Sequence, residues 1–109
     1  MESKRLQELL VNAATRLAGW SFERLGLLDE EQWNEEVGRP TEPQDGNYCQ
    51  IEAELLERLV EDQVEVLHVL VTSSDGHQEL GTHLFISHDG GVRWDRKIYE
   101  FVDGVPNLL

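Results

Sequence analysis

From its first residues the chain keeps a helical spacing of apolar positions. Leu6, Leu9, Leu10, Ala13 and Leu17 recur at intervals of three and four, with Lys4, Glu8, Asn12 and Arg16 elsewhere on the cylinder. This spacing predicts an amphipathic helix over 3–18, ended by Gly19. The next segment, "WSFERLGLL", is apolar and interrupted by Gly26, the pattern of a turn packed against that helix. A second, short helix is marked by its ends. Asp29 caps it, Gln32 completes a capping box, Leu28 and Trp33 take the staple positions, and Gly38 with Pro40 stops it. Positions 38–47, rich in Pro, Gly and Asp, read as a loop.

Over 48–61 two periods compete. Ile51, Leu55, Leu56, Leu59 and Val60 fit a helical stripe, while Cys49, Ile51, Ala53 and Leu55 alternate as a strand does. Beyond it the period is two. "VEVLHVLVTSS" (64–74) is β-branched, "DG" at 75–76 turns, "ELGTHLFIS" (79–87) is a second strand, "HDGG" turns again, and "VRWDRKIYEFV" (92–102) is a third. The first of these is apolar on both faces, which places it centrally or beneath a helix. The tail "DGVPNLL" shows no regular pattern.

These elements predict an α+β fold: N-terminal helices packed on a three- or four-stranded antiparallel β-meander. At 109 residues the chain is one domain, 1–109, with a helical part and acidic loop (1–47), the segment 48–61, and the meander (64–102). Trp20, Trp33 and Trp94 add to an apolar content sufficient for a packed core. The longest apolar run, "VLHVLV", is too short to cross a bilayer, and the N-terminus lacks a signal-peptide core, so the expectation is a cytoplasmic protein without membrane partners. The single Cys49 has neither a disulfide nor a metal-spaced partner and reads as a small buried residue.

The hairpin around 88–91 can be registered from its pattern. A three-residue loop of Asp89, Gly90 and Gly91 sets Ile86 opposite Trp94 and Thr82 opposite Ile98, which puts Leu80, Leu84, Ile86, Val92, Trp94 and Ile98 on one face. A two-residue loop would set Ile86 against Arg93 and lose that burial. Ser87, Asp89, Gly91 and Trp94 stand at the spacing of the Asp-box (BNR) hairpin, and these eight residues resemble it, with Arg93 departing from its usual Thr. The resemblance implies that Asp89 accepts turn amides, Gly91 permits the turn, Trp94 packs over the hairpin and Ser87 supplies a local hydroxyl. One copy in a chain of this length cannot build a propeller, so the motif is read as a structural turn.

Charge changes the picture most. Twenty-two acids against nine bases leave a net of −13, and positions 29–65 alone hold thirteen acids and two bases. Such a field repels phosphate backbones and attracts basic surfaces, which disfavours direct nucleic-acid binding and favours a basic protein partner.

The four histidines, His68, His77, His83 and His88, fall within one short stretch, yet the expected register keeps them apart, and no metal, nucleophile or phosphate-loop spacing is present. No catalytic residue, metal ligand or cofactor is assigned. The sheet face opposite Trp94 carries His83, Phe85, Arg93, Asp95, Lys97, Tyr99 and Phe101, the mixed composition of an interface. The sequence therefore points to a non-catalytic acidic binding protein, an inhibitor, immunity or anti-defence protein of bacterial or phage type. Glu30, Glu31, Glu35, Glu36, Glu42 and Asp45 would steer a basic partner, with Trp33, Tyr99 and Phe101 as anchors. The alternatives are a small metal-binding or hydrolytic enzyme built on the histidines of 68–88, and a self-associating accessory subunit, for instance a homodimer.

Overall fold

The structure, a computed structural model, describes residues 3–19 and 50–109. One helix, α1 (Ser3–Ala18), packs on one face of an antiparallel sheet of six strands: β1 (Gln50–Glu61), β2 (Val64–Ser74), β3 (Glu79–Ser87), β4 (Val92–Arg93), β5 (Tyr99–Val102) and β6 (Val105–Leu108). The order across the sheet is β1-β2-β3-β5-β6, with β4 also paired to β3. The fold is α+β, but the sheet is larger than the three or four strands expected, and α1 is the single helix among the described residues. The second helix expected from Asp29, the turn at Gly26, the loop 38–47 and Cys49 lie outside those residues.

The stripe read from the sequence is the buried one. Leu6, Leu9, Leu10, Ala13, Ala14 and Leu17 are at most 4% exposed and meet Ile51, Ala53, Leu67, Val69, Val71, Leu80, Leu84 and Ile86 from the sheet. Each leucine so buried contributes on the order of 1.5–3 kcal/mol relative to exposure. The polar groups inside are satisfied: buried Ser73 donates to the Leu6 carbonyl at 3.1 Å, tying the end of β2 to the start of the helix. No described helix is long and apolar enough to cross a membrane.

Segment 48–61, ambiguous by period, is strand from Gln50 to Glu61. Its two patterns coexist because the ladder is irregular: Leu55 faces Val69 and Glu57 faces His68, so Leu56 is an extra, bulged residue. The insertion flips the alternation. Ile51, Ala53 and Leu55 point toward the helix side before it, whereas Glu57, Leu59 and Glu61 point to the opposite face after it. The neighbouring apolar pairs that resembled a helical stripe straddle this bulge.

The expected third strand, 92–102, is broken in two. Ile86 faces Val92, but Gly81 faces Tyr99, so two more residues lie between β4 and β5 than the β3 side requires. Arg96, at a φ of 61°, takes the kink, and the Lys97 amide donates to Asp95 Oδ1 at 2.9 Å. An excess of two keeps the facing unchanged, so Trp94 and Ile98 still pack on the core. Thr82 holds this segment, its hydroxyl donating to the Lys97 carbonyl at 2.7 Å while the Trp94 indole N–H donates to Thr82 Oγ1 at 2.9 Å.

The hairpin loop has the expected three residues, displaced by one: His88, Asp89 and Gly90, between Ser87 and Gly91, whose backbones bond at 2.8 Å. Gly90, at a φ of 94°, is the left-handed residue, and Asp89 Oδ1 accepts the Gly91 amide at 3.0 Å. The tail, expected to lack regular structure, forms a hairpin: Asp103 (φ 52°) and Gly104 (φ 79°) turn β5 into β6.

Candidate functional site

The face of the sheet away from α1 is built by register. In β1 this face carries Gln50, Glu52, Glu54, Glu57, Leu59 and Glu61; the four glutamates are exposed and line the outer strand of the described sheet, with half-buried Leu59 between the last two. Beside them stand His68 and Leu70 of β2, His83 and Phe85 of β3, Arg93 of β4, and Tyr99 and Phe101 of β5, all half-buried except exposed Arg93. Four acids thus border an aromatic and imidazole centre.

Within that centre the contacts form a chain. Glu57 Oε1 lies 3.4 Å from His68 Nδ1, and His68 Nε2 lies 2.9 Å from His83 Nδ1, a contact in which one ring carries the proton and the other accepts it. Phe85 stacks on His68 with ring centres 4.4 Å apart, and Tyr99 meets His83 edge-on at 5.9 Å. Burial pushes the His83 imidazole below its ordinary pKa of 6.5; His68 pushes the same way, and Asp95 pulls it back. The Leu56 bulge is what brings Glu57 onto this face, since a regular ladder would turn it toward the helix.

A second arrangement spans the face. Arg93 Nη2 bonds Glu61 Oε2 at 2.6 Å, and its guanidinium lies 5.1 Å from the Phe85 ring centre. The pair links β4 to β1 over the two strands between them. Val66, on the same face of β2, is 1% exposed. Both partners are roughly half exposed, so the ion pair itself is worth at most about 1 kcal/mol, and its effect is to order the face. Phe101 closes the other end by lying across Gly81, where an added Cβ would meet Phe101 Cε2 at 2.6 Å.

The sequence-derived site residues divide accordingly. Tyr99, Phe101, His83, Phe85 and Arg93 share this face, while Asp95 and Lys97 sit in the exposed irregular stretch before β5. Glu30, Glu31, Trp33, Glu35, Glu36, Glu42 and Asp45 lie outside the described residues. The expectation that the histidines stay apart is corrected for one pair: His68 and His83 touch, whereas His77 and His88 are exposed in the two turns that flank β3. The glutamates of β1 were not expected as part of the site, because the face to which they belong depends on the bulge. Among the described residues no three His, Cys, Asp or Glu side chains are grouped to hold a metal ion. An open cleft lined by Lys4, Gln7, Glu8, Val11, Asn12 and Ile98 contains none of the face residues.

Comparison of the chain with family models, curated proteins and solved structures found no match.

Proposed function

We propose that the chain is a non-catalytic acidic binding protein that occupies a basic surface of a partner protein, acting as an inhibitor, immunity or anti-defence protein. The observation that carries this reading is the juxtaposition on one sheet face of Glu52, Glu54, Glu57 and Glu61 with Tyr99, Phe101, Phe85 and the two imidazoles. A row of carboxylates attracts a Lys- and Arg-rich surface and speeds its encounter, while aromatic side chains supply the desolvated anchor. Glu30, Glu31, Glu35, Glu36, Glu42 and Asp45 add to the same field, and Trp33 is a further anchor. The test is capture of partners from lysate of the source organism by wild type and by a variant with the four β1 glutamates changed to Gln. A basic protein retained stoichiometrically by wild type and lost by the variant supports the reading; equal retention refutes it.

The His68–His83 contact favours one second reading, a small metal-binding or hydrolytic enzyme. Titration with cobalt(II) separates the two, because a ligand-field spectrum that disappears in His83→Gln belongs only to the second.

A further inference from the structure

The outer strands of the described sheet, β1 and β6, differ sharply in character. β1 carries four exposed glutamates and a bulge, the features that keep a strand edge from pairing with another chain. β6 has neither. Val105, Pro106, Asn107 and Leu108 are uncharged, and β6 is the one described strand without a charged residue in a chain of net −13. It is also apolar and exposed on both faces. Leu108 (60% exposed) and Pro106 share the face of Tyr99 and Phe101, while Val105 (58%) lies with Val102 (49%) on the other.

The backbone of β6 sets what can join it. The Leu109 amide donates to the Ile98 carbonyl at 2.9 Å, which fixes the alternation of the β5–β6 ladder. Val105 and Asn107 turn their amides toward β5, and positions 106 and 108 turn outward. Pro106 has no N–H, so the missing donor falls on the outer side, where a strand tolerates proline. Leu108 is left as the outward N–H of this strand, between the outward carbonyls of Pro106 and Leu108 itself.

The geometry points to β6 as a dimerisation edge whose occupant is a second copy of this chain. The two β6 strands pair antiparallel about a twofold axis, and the Leu108 N–H of each copy donates to a β6 carbonyl of the other. Charge fits this occupant: an uncharged apolar strand offers nothing to a basic surface, and β6 is the one described strand that can lie against its own copy without setting charged residues of the same strand together. Twofold pairing satisfies both exposed edges at once and buries Leu108 and Val105 of each copy. The described strands of the combined sheet then run from β1 of one copy to β1 of the other, each β1 with its glutamates. This inference does not depend on the proposed partner.

The experiment is sedimentation equilibrium of wild type, Leu108→Pro and Leu108→Lys from about 1 µM to about 300 µM, at roughly 0.1 M and roughly 0.5 M salt, where screening differs strongly. Leu108→Pro removes the outward N–H without touching a bond of the β5–β6 hairpin; Leu108→Lys keeps the backbone and charges the edge. Wild type is expected to pass from monomer to dimer mass, more readily at high salt because the like charges of the copies are screened. Both variants are expected to weaken association by roughly tenfold or more, with unchanged far-UV circular dichroism. Wild type that stays monomeric throughout overturns the inference, as does a dimer that salt weakens or that Leu108→Lys leaves intact. If Leu108→Pro loses sheet signal, the Lys variant alone decides.

Discussion

His68 Nε2 lies 2.9 Å from His83 Nδ1, so two imidazoles on neighbouring strands share a single proton on a half-buried face. Charging both rings would set two cations against each other. Burial first, and His68 next, hold the His83 pKa below 6.5, with Asp95 opposing them and Tyr99 packed on its edge.

Stability should therefore depend on acid in a defined direction. The unfolded chain takes up a proton at this histidine near pH 6.5, whereas the folded chain resists it until lower pH, so the unfolded state binds more protons in between. The contribution is fully present above pH 6.5 and is lost as pH falls from there toward the folded pKa of His83. Urea unfolding across this range is expected to show stability declining with acid, and His83→Gln to flatten the decline. Identical slopes in the two proteins would exclude His83 as its source.

Phe101 lies over Gly81, and a methyl group there would meet the Phe101 ring at 2.6 Å and Leu70 at 3.2 Å. Gly81→Ala is expected to cost about 1–3 kcal/mol by overpacking. Combining it with Phe101→Leu should recover part of that loss, a non-additivity readable by chemical denaturation. Strictly additive losses would mean that the ring does not rest on Gly81.

Leu56 is the extra residue of the β1 bulge, so removing it should leave every flanking pair in register, with Glu57 still facing His68. Deletion of Leu56 is expected to change stability by less than about 1 kcal/mol, an unusual outcome for a deletion within a strand. Deletion of Ala53 instead turns Ile51 to the open face and Glu52 toward the helix, and is expected to cost about 2 kcal/mol or more. Thermal melts of the two deletion variants, ranked the other way, would contradict the assigned register.

Much of this architecture is legible in the sequence, and the exceptions have physical causes. The α1 stripe stands out because five apolar residues repeat against charged ones, and all five are buried. Segment 48–61 is ambiguous because a bulge places Leu55 and Leu56 side by side in a strand, a pattern that a helix also makes. The β5–β6 hairpin carried a readable signal, Asp103–Gly104 between two valines, but strands of four residues with a proline in one show too little alternation to register. The His68–His83 pair was accessible from parity. Either a two-residue turn at Asp75–Gly76 or the four-residue turn observed, where Asp75 Oδ1 accepts the His77 and Gln78 amides, puts both rings on one face. The column of glutamates was hidden by the same bulge, since without it Glu57 and Glu61 would fall on the face opposite Glu52 and Glu54.

The most direct test of the acidic face is capture from the source lysate at roughly 0.05 M and roughly 0.5 M salt, using wild type and the variant with Glu52, Glu54, Glu57 and Glu61 changed to Gln. One basic protein is expected to be held by wild type at low salt, released at high salt, and not held by the variant. A partner that is acidic, or that the variant retains as well as wild type does, would contradict it.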